Sequence, residues 1–306
     1  MAYQPTFLQK EIHIEKLYTV HYFEYMKDFF FEGESHDFWE FCYIDKGEIE
    51  VQADDQRYVL KKGDCIFHKP NEFHMLKANG KIAPNLVVAS FSCSSPAMNF
   101  FENKLLKLDS KERNLLGELI TESRNAFSCP LNDPYLQKLT EKEEPFFACE
   151  QLIELYLEQF LINLIRRYRY CTLADAGPQK STKIKSDSDL FNHIVAYLEN
   201  NITSHVTVDE ICKNNLIGRS QLQALFRSKS SLGVIEYFSN MKINVAKQLI
   251  RDSHMNFTQI SEYLGYSSIH YFSRQFKKIT NMTPSEYASS VKALSERSAF
   301  DTETHK

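Results

Sequence analysis

One pattern is written twice in the last hundred or so residues of this chain. Around Leu222 the sequence reads QLQALFRS and then IEYF; around Phe272 it reads YFSRQFKK and then SEYA. Leu222 and Phe272, Phe226 and Phe276, Arg227 and Lys277, Glu236 and Glu286, and Tyr237 and Tyr287 each stand 50 residues apart. A fixed internal period constrains architecture strongly, because each copy must be one supersecondary unit. Two copies are too few for a solenoid, so a paired module is expected.

The local patterns inside each copy say what the unit is. SDLFNHIVAYLENNI sets Leu190, Ile194, Val195 and Leu198 at helical spacing, and Thr207 followed by Glu210 has the form of a capping box at a helix start. A turn is expected at Lys213-Asn214-Asn215. SQLQALFRS then makes a helix with Leu222, Leu225 and Phe226 inward and Arg219, Ser220, Gln223 and Arg227 toward solvent, which completes a helix-turn-helix. VIEYFSNMKINVAKQLIR is one long connecting helix with Ile235, Phe238, Met241, Val245 and Leu249 recurring. The second copy begins at FTQISEYLGYSS with Gly265 at its turn, and its second helix runs from Ser267 through Lys278. Phe272 and Phe276 face in there, while Ile269, His270, Ser273, Arg274 and Lys277 face out.

Upstream the texture differs. From Tyr22 to Phe91, short aromatic and β-branched runs are cut by turn signals at Asp45-Lys46-Gly47, Ala53-Asp54-Asp55, Lys61-Lys62-Gly63-Asp64 and Lys69-Pro70-Asn71-Glu72, as in a sandwich or small barrel. Along HDFWEFCY, alternation puts His36, Phe38, Glu40 and Cys42 on one face and Asp37, Trp39, Phe41 and Tyr43 on the other. One set should line a cavity. From Ser95 the period becomes helical: AMNFFENKLLKL, then KERNLLGELITESRNAF with Leu115, Leu119, Ile120 and Ala126 or Phe127, then FFACEQLIELYLEQFLINLIRRYRY. The last of these carries Leu152, Leu155, Tyr156, Gln159, Ile162 and Arg166 at spacings of three and four, with more apolar residues around the rest. A helix apolar on several sides is buried on several sides, against its own domain or a second subunit. CTLADAGPQKSTKIKSD, residues 171–187, loses this periodicity and is expected to be a linker.

Charge follows the same division. From Lys183 onward there are 15 Lys and Arg against 12 Asp and Glu, and before it 21 against 28, so a mildly basic C-terminal part sits on an acidic body. This permits nucleic acid as a partner without proving it. The seven cysteines are scattered with no CxxC pair, which argues against a disulfide framework or zinc ribbon and for reduced, apolar-packed thiols. No apolar run approaches the roughly 20 residues of a membrane span. The start, MAYQPTFLQKEIHIEK, lacks the pattern of a secretory leader, so no membrane partner and a cytoplasmic location are expected.

Two family resemblances attach to these residues. His36, Glu40 and Gly47, then Gly63, Pro70 and His74, resemble the two motifs of the cupin barrel, a double-stranded β-helix. ISEYLGYSSIHYFSRQFKKITNMTPSEY resembles the second half of the AraC/XylS-type DNA-binding domain, with Ser261 where Ala is usual and Asn281 where Gly is usual. The implied fold is multidomain. Residues 1–95 form a ligand-sensing β-barrel, 96–170 a helical segment that covers it and dimerises, 171–187 a linker, and 188–306 an all-α domain with two helix-turn-helix motifs.

The implied function is a transcriptional regulator, not an enzyme, that binds double-stranded promoter DNA under control of a small molecule such as a sugar. RNA polymerase is a further partner, the chain acts as a homodimer, and no cofactor is implied. Carried over by position, Ser220, Gln223, Ile269, His270 and Arg274 face bases, and Arg219, Arg227, Ser273, Lys277 and Lys278 meet phosphates. Ala224 stands where Arg is common, Gly218 replaces the usual Ser N-cap and Leu216 stands at the expected turn Gly, so the second copy should dominate specificity. His36, Phe38, Trp39, Glu40 and His74 are the ligand-binding candidates. Glu34, His36, Glu40 and His74 could also ligate a metal, which keeps open a cupin metalloenzyme fused to a DNA-binding domain, although Glu34 replaces the first of the paired histidines of metal-binding cupins.

Overall fold

A computed structural model describes residues 3–134, 136–170 and 182–300, the stretches 182–189 and 293–300 by their backbone only. It divides into two compact units, the first within residues 1–175 and the second within 176–292.

Among the described residues of the first unit, nine strands form two antiparallel sheets. β1 (Lys16–Glu24), β3 (Trp39–Lys46), β6 (Asp64–His68), β8 (Asn85–Ser92) and β9 (Leu105–Lys107) make one, in the order β1-β8-β3-β6-β9. β2 (Phe30–Glu34), β4 (Glu48–Ala53), β5 (Gln56–Lys61) and β7 (His74–Ala78) make the other, in the order β2-β7-β4-β5. Among the described residues no strand pairing joins the sheets, so the expected cupin-type barrel is built as two facing sheets that do not close. The expected turns appear where Gly47 (φ 73), Asp54 (φ 48) and Gly63 (φ 95) take left-handed conformations.

Central strands β3 and β8 are buried on both faces. Cys42, Ile44, Leu86 and Val88 pack between the sheets with Ile49, Val51, Leu60 and Leu76. Phe41, Tyr43, Val87, Ala89 and Phe91 point the other way into a larger core closed by helices α1 (Ser110–Ala126) and α2 (Cys149–Tyr170). Phe160 of α2 meets Phe41 at 5.1 Å.

Several expectations change here. The helix expected over AMNFFENKLLKL is a short 3-10 turn, Pro96–Phe101, followed by edge strand β9, because Asn103 at φ 53 ends the turn and Leu106 alternates inward between exposed Leu105 and Lys107. Sheet residues thus reach past position 95. On α1 the buried stripe runs through Leu116, not Leu115, with Leu119, Ile120, Ser123 and Ala126. α1 starts with a capping box between Asp109 and Glu112, and buried Glu112 receives two 2.7 Å hydrogen bonds from the Arg167 guanidinium of α2. Six cysteines are free thiols, four of them buried; Cys171 lies outside the described residues.

The second unit is helical: α3 (Thr182–Asn200), α4 (Val208–Asn214), α5 (Arg219–Ser230), α6 (Val234–Asp252), α7 (Phe257–Tyr263), α8 (Ile269–Thr280) and α9 (Pro284–Phe300). Of the expected linker, residues 171–181 lie outside the described residues, and α3 begins at Thr182, inside the remaining part. The repeat is visible as structure. α5 and α8 each have 12 residues, and each ends on a left-handed residue, Ser231 (φ 58) and Asn281 (φ 61), 50 positions apart. Asn tolerates that conformation better than most residues, which explains its presence where glycine was expected. On α6 the buried stripe is Val234, Phe238, Lys242, Ile243, Ala246, Ile250 and Arg251, and Ile235 is 41% exposed. Among the described residues no helix is long and apolar enough to cross a membrane.

α4 reaches Asn214, so the turn of the first motif falls at Asn215-Leu216-Ile217, two residues later than the spacing implied. Leu216 occupies it at φ 51 and is 95% exposed. A left-handed leucine costs about 1–2 kcal/mol and gains no burial here. Leu216→Gly is therefore expected to stabilise the C-terminal unit by about 1 kcal/mol, read as a rise in the urea midpoint without a change in slope.

Candidate functional site

Two places carry chemistry: the outer faces of α5 and α8, and a cavity between the sheets.

Thr207 caps α4, with its side chain accepting from the Glu210 amide, as its sequence implied. Gly218 begins α5 without a side-chain cap, whereas Ser268 caps α8 by accepting from the Tyr271 amide at 3.2 Å. Inward residues match: Leu222, Leu225 and Phe226 on α5, Phe272 and Phe276 on α8. Outward, α8 exposes His270, Arg274, Lys277 and Lys278, with Ile269 and Ser273 half-buried at the edge of the face. α5 exposes Arg219, Ser220, Ala224 and Arg227, with Gln223 half-buried. Arg219 is already paired with Asp209 of α4 at 2.8 Å, an exposed contact weak enough for a phosphate to displace. Tyr271 was missed: its exposed ring lies 5.9 Å from the Arg274 guanidinium, one turn on. The signal was the i, i+3 spacing of an aromatic and an Arg beside two inward phenylalanines.

The cavity, of about 320 Å³, opens between the sheets and is walled by Phe23, Tyr25, Phe31, Leu76 and Val88, with Pro134, Leu136 and Gln137 also lining it. Strand register assembles its polar end. Glu34 pairs with His74 across β2 and β7, and Glu40 pairs with Ser90 across β3 and β8. Gly33, at φ 103, lets β2 approach so closely that a Cβ there would lie 2.6 Å from the His74 carbonyl. Of the expected ligand-binding residues, His36, Phe38 and Glu40 line the cavity, and His74 lies against Glu34 and Glu40. Trp39 does not: its side chain, 6% exposed, is in the core under α1 and α2. The alternation of β3 requires this, since Trp39 has the opposite parity to Glu40.

Ser90 donates to Glu40 at 2.6 Å. Glu40 also lies 3.4 Å from His74 Nε2 and 3.7 Å from His36 Nε2, and Glu34 lies 3.9 Å from His74 Nε2. At these separations neither Nε2 makes a hydrogen bond. Each ring is oriented by its other nitrogen, His36 Nδ1 donating to the Phe38 carbonyl at 3.0 Å and His74 Nδ1 to that of Glu72 at 3.1 Å. Behind them lies a pair that sequence reading missed, His68 and Glu72, both buried, with a 2.8 Å contact and the His68 ring stacked on His74 at 4.4 Å. It could have been suspected only from His68 and Glu72 flanking a turn.

Burial opposes ionisation of Glu40, but the two imidazoles and the Ser90 hydroxyl outweigh it and hold its carboxyl well below the usual range. Burial and repulsion from Glu40 push Glu34 up. Burial likewise resists a charged His74, yet Glu40 pushes it up, while burial takes His21 and His68 down. Folded His74 therefore holds protons that the unfolded imidazole, near 6.5, has lost, so its contribution to stability falls as pH rises above that value. His21 and His68 act oppositely and cost stability as pH falls below it. Urea denaturation of the whole chain from pH 5 to 8 is expected to show greatest stability near about pH 6.5, with the high-pH decline flattened in Glu40→Gln.

Glu34, His36, Glu40 and His74 offer ligand atoms all within 4.8 Å of one another. This donor set fits a divalent ion, which His36 and His74 would hold through Nε2 and the glutamates through carboxylate oxygens, and which would supply Lewis acidity there.

A helix-turn-helix domain model matches residues 211–290, and a cupin domain model matches residues 22–89. The HTH-type transcriptional activator RhaR of Yersinia pestis bv. Antiqua (strain Angola) is 23% identical over 259 residues, 84% of this chain and 84% of its own length. An uncharacterised HTH-type transcriptional regulator, YfiF of Bacillus subtilis (strain 168), is 22% identical over 258 residues, 84% of this chain and 78% of its own. The chain is an AraC/XylS-type transcriptional regulator with an N-terminal cupin domain. In this AraC-type regulator the two facing sheets are the cupin domain, and α4–α5 and α7–α8 are its paired helix-turn-helix motifs. Among solved structures, ToxT of Vibrio cholerae with an unsaturated fatty acid bound is similar at 16% identity and a TM-score of 0.33, over 90% of this chain and 96% of its own. A regulator of Chromobacterium violaceum with an AraC-type DNA-binding domain is similar at 25% identity and a TM-score of 0.33, over 35% of this chain and 96% of its own.

Proposed function

We propose that this regulator reads promoter DNA through α5 and α8 and is controlled by a small molecule held in the cavity of its cupin domain. The observation that carries the reading is the cavity itself: apolar walls with a few convergent, incompletely satisfied polar groups are the usual form of a small-molecule site. A sugar belongs among the small polar molecules such a site could take. The ligand acts by binding one arrangement of the chain better than another, which shifts the affinity for DNA by the same factor that DNA shifts affinity for the ligand.

In this reading Ser220, Gln223, Ile269, His270 and Arg274 meet base edges. Arg227, Ser273, Lys277 and Lys278 meet phosphates, joined by Arg219 once it leaves Asp209. In this reading β9 joins the sensing domain and α3 the DNA-binding one. The outer stripe of α2, where Leu155 is 49% exposed beside half-buried Leu152, Tyr156 and Ile162, is the face offered to a second copy. RNA polymerase is the further partner of a promoter-bound activator, and the cytoplasm is where it works.

The test pairs a thermal-shift screen of metabolites with DNA titration. A compound that raises the melting temperature is expected to change the dissociation constant for promoter DNA about 5- to 150-fold. A compound that saturates the protein yet leaves DNA affinity unmoved would remove its role as effector.

A further inference from the structure

The charge balance at the polar end of the cavity narrows what can bind there. This step rests on the cavity being the effector site. Two carboxylates, Glu34 and Glu40, converge with two imidazole Nε2 atoms that lack hydrogen-bond partners. His74, which carries one of them, is 2% exposed. Both rings commit Nδ1–H to backbone carbonyls, so Nε2 is the atom that each turns toward Glu40. The Ser90 hydroxyl spends its proton on Glu40. Among the described residues lining the cavity there is no lysine or arginine.

With two carboxylates at its polar end and no lysine or arginine among its described lining residues, the site discriminates among ligands by charge. A carboxylate or phosphate would be desolvated against Glu34 and Glu40 with no lysine or arginine among the described lining residues to receive it. A neutral polyol could donate hydroxyl hydrogens but would bring no charge to the two carboxylates. An ammonium group supplies both, three N–H donors for the acceptors and a full positive charge for the glutamates. A bare metal ion would match the donors but leave the apolar walls of a cavity of about 320 Å³ without an occupant.

We propose that the effector is an organic cation, a small amine whose ammonium group sits among Glu34, His36, Glu40 and His74 and whose carbon skeleton lies against Phe23 and Phe31. Glu40 supplies the main countercharge. Glu34, on β2 at the half-exposed side of the cluster, is the group the incoming amine meets from solvent.

The full-length protein, dialysed against chelator, is titrated by thermal shift and calorimetry with butylamine, benzylamine and agmatine. The same skeletons carrying hydroxyl or carboxylate in place of the amine are run beside them, with a panel of sugars and with zinc and manganese chlorides. At least one amine is expected to raise the melting temperature by several degrees at about 100-fold excess over its Kd, with no response to the matched alcohol or acid. Affinity should fall at least about tenfold in Glu34→Gln, a half-exposed position chosen to spare the fold, and further in Glu40→Gln. A sugar or acid that binds, with affinity unchanged in both variants, overturns the cationic assignment while leaving the cavity as effector site. A stoichiometric metal response with no amine response also overturns it. No response to any compound in any class overturns the cavity as effector site as well.

Discussion

Gly265→Ala is expected to destabilise the C-terminal unit by about 3 kcal/mol, enough to lower its melting temperature by more than about 10 °C. Gly265 turns the second helix-turn-helix at φ 67, a conformation that costs a residue with Cβ about 1–2 kcal/mol. The larger part of the loss is steric. A Cβ there would lie 2.5 Å from the Thr203 carbonyl oxygen and 3.3 Å from two further backbone carbons of Thr203 and Ser204, and backbone cannot rotate aside. Lys242 braces the same junction. Its ammonium, inside a residue only 6% exposed, donates to the carbonyls of Ser204, at 2.7 Å, and Leu264, so the segment before α4 is pinned to the turn after α7. Gly218→Ala is the control, since it has φ −71 and no atom within 4 Å of an added Cβ, and it should change stability by less than about 1 kcal/mol. Urea denaturation followed by helical ellipticity measures both. Equal effects would mean that the turn of the second motif relaxes freely.

Arg274→Ala is expected to weaken binding to cognate promoter DNA about 10- to 100-fold and to relax sequence preference at one or two base pairs, while non-specific binding falls much less. Arg274 is exposed in the middle of α8, on the face opposite Phe272 and Phe276, and its guanidinium lies beside Tyr271. An arginine so placed can fork onto guanine O6 and N7. Lys277→Ala and Lys278→Ala should instead lower affinity for all sequences and reduce the slope of log affinity against log salt by about 1 each. The corresponding position of α5 is Ala224, which has no donor, so removal of Ser220 from that helix should cost much less. Fluorescence anisotropy on cognate and scrambled duplexes over a range of salt separates these cases. An equal loss on both duplexes would make Arg274 a phosphate contact.

How much of this was legible in the sequence differs between the two units. The helical unit was almost fully readable, because helix limits, caps and inward faces depend on residues three and four apart. The capping box at Thr207, the inward Phe272 and Phe276, and the repeat ending at Ser231 and Asn281 are all local facts. Errors arose where distant segments meet. Of the α6 stripe expected through Ile235, Phe238, Met241, Val245 and Leu249 only Phe238 is buried, and Lys242, which donates to the carbonyls of Ser204 and Leu264, lies inside with Val234, Ile243, Ala246 and Ile250.

In the sheet unit, alternation alone divided the residues around β3 into two sets, and that division holds. Which set faces the cavity was not contained in it. That depended on α1 and α2 packing over Trp39, Phe41 and Tyr43, leaving His36, Phe38 and Glu40 to the other side. The strand turns were written in Gly47, Asp54 and Gly63, but the sorting of the strands into two sheets was set by pairings between residues far apart, such as Lys16 with Ser92 and Glu34 with His74.

By itself the sequence determined the paired DNA-reading module, its unequal copies and the residue types available for a ligand, since each of these rests on spacing within one helix or one strand. Only the tertiary structure decided that Glu34, Glu40, His36 and His74 converge while Trp39 is withdrawn, and that Lys242 joins the two motifs. Side-chain periodicity is a property of a single segment; convergence needs the register between segments, which the packing of the whole core selects.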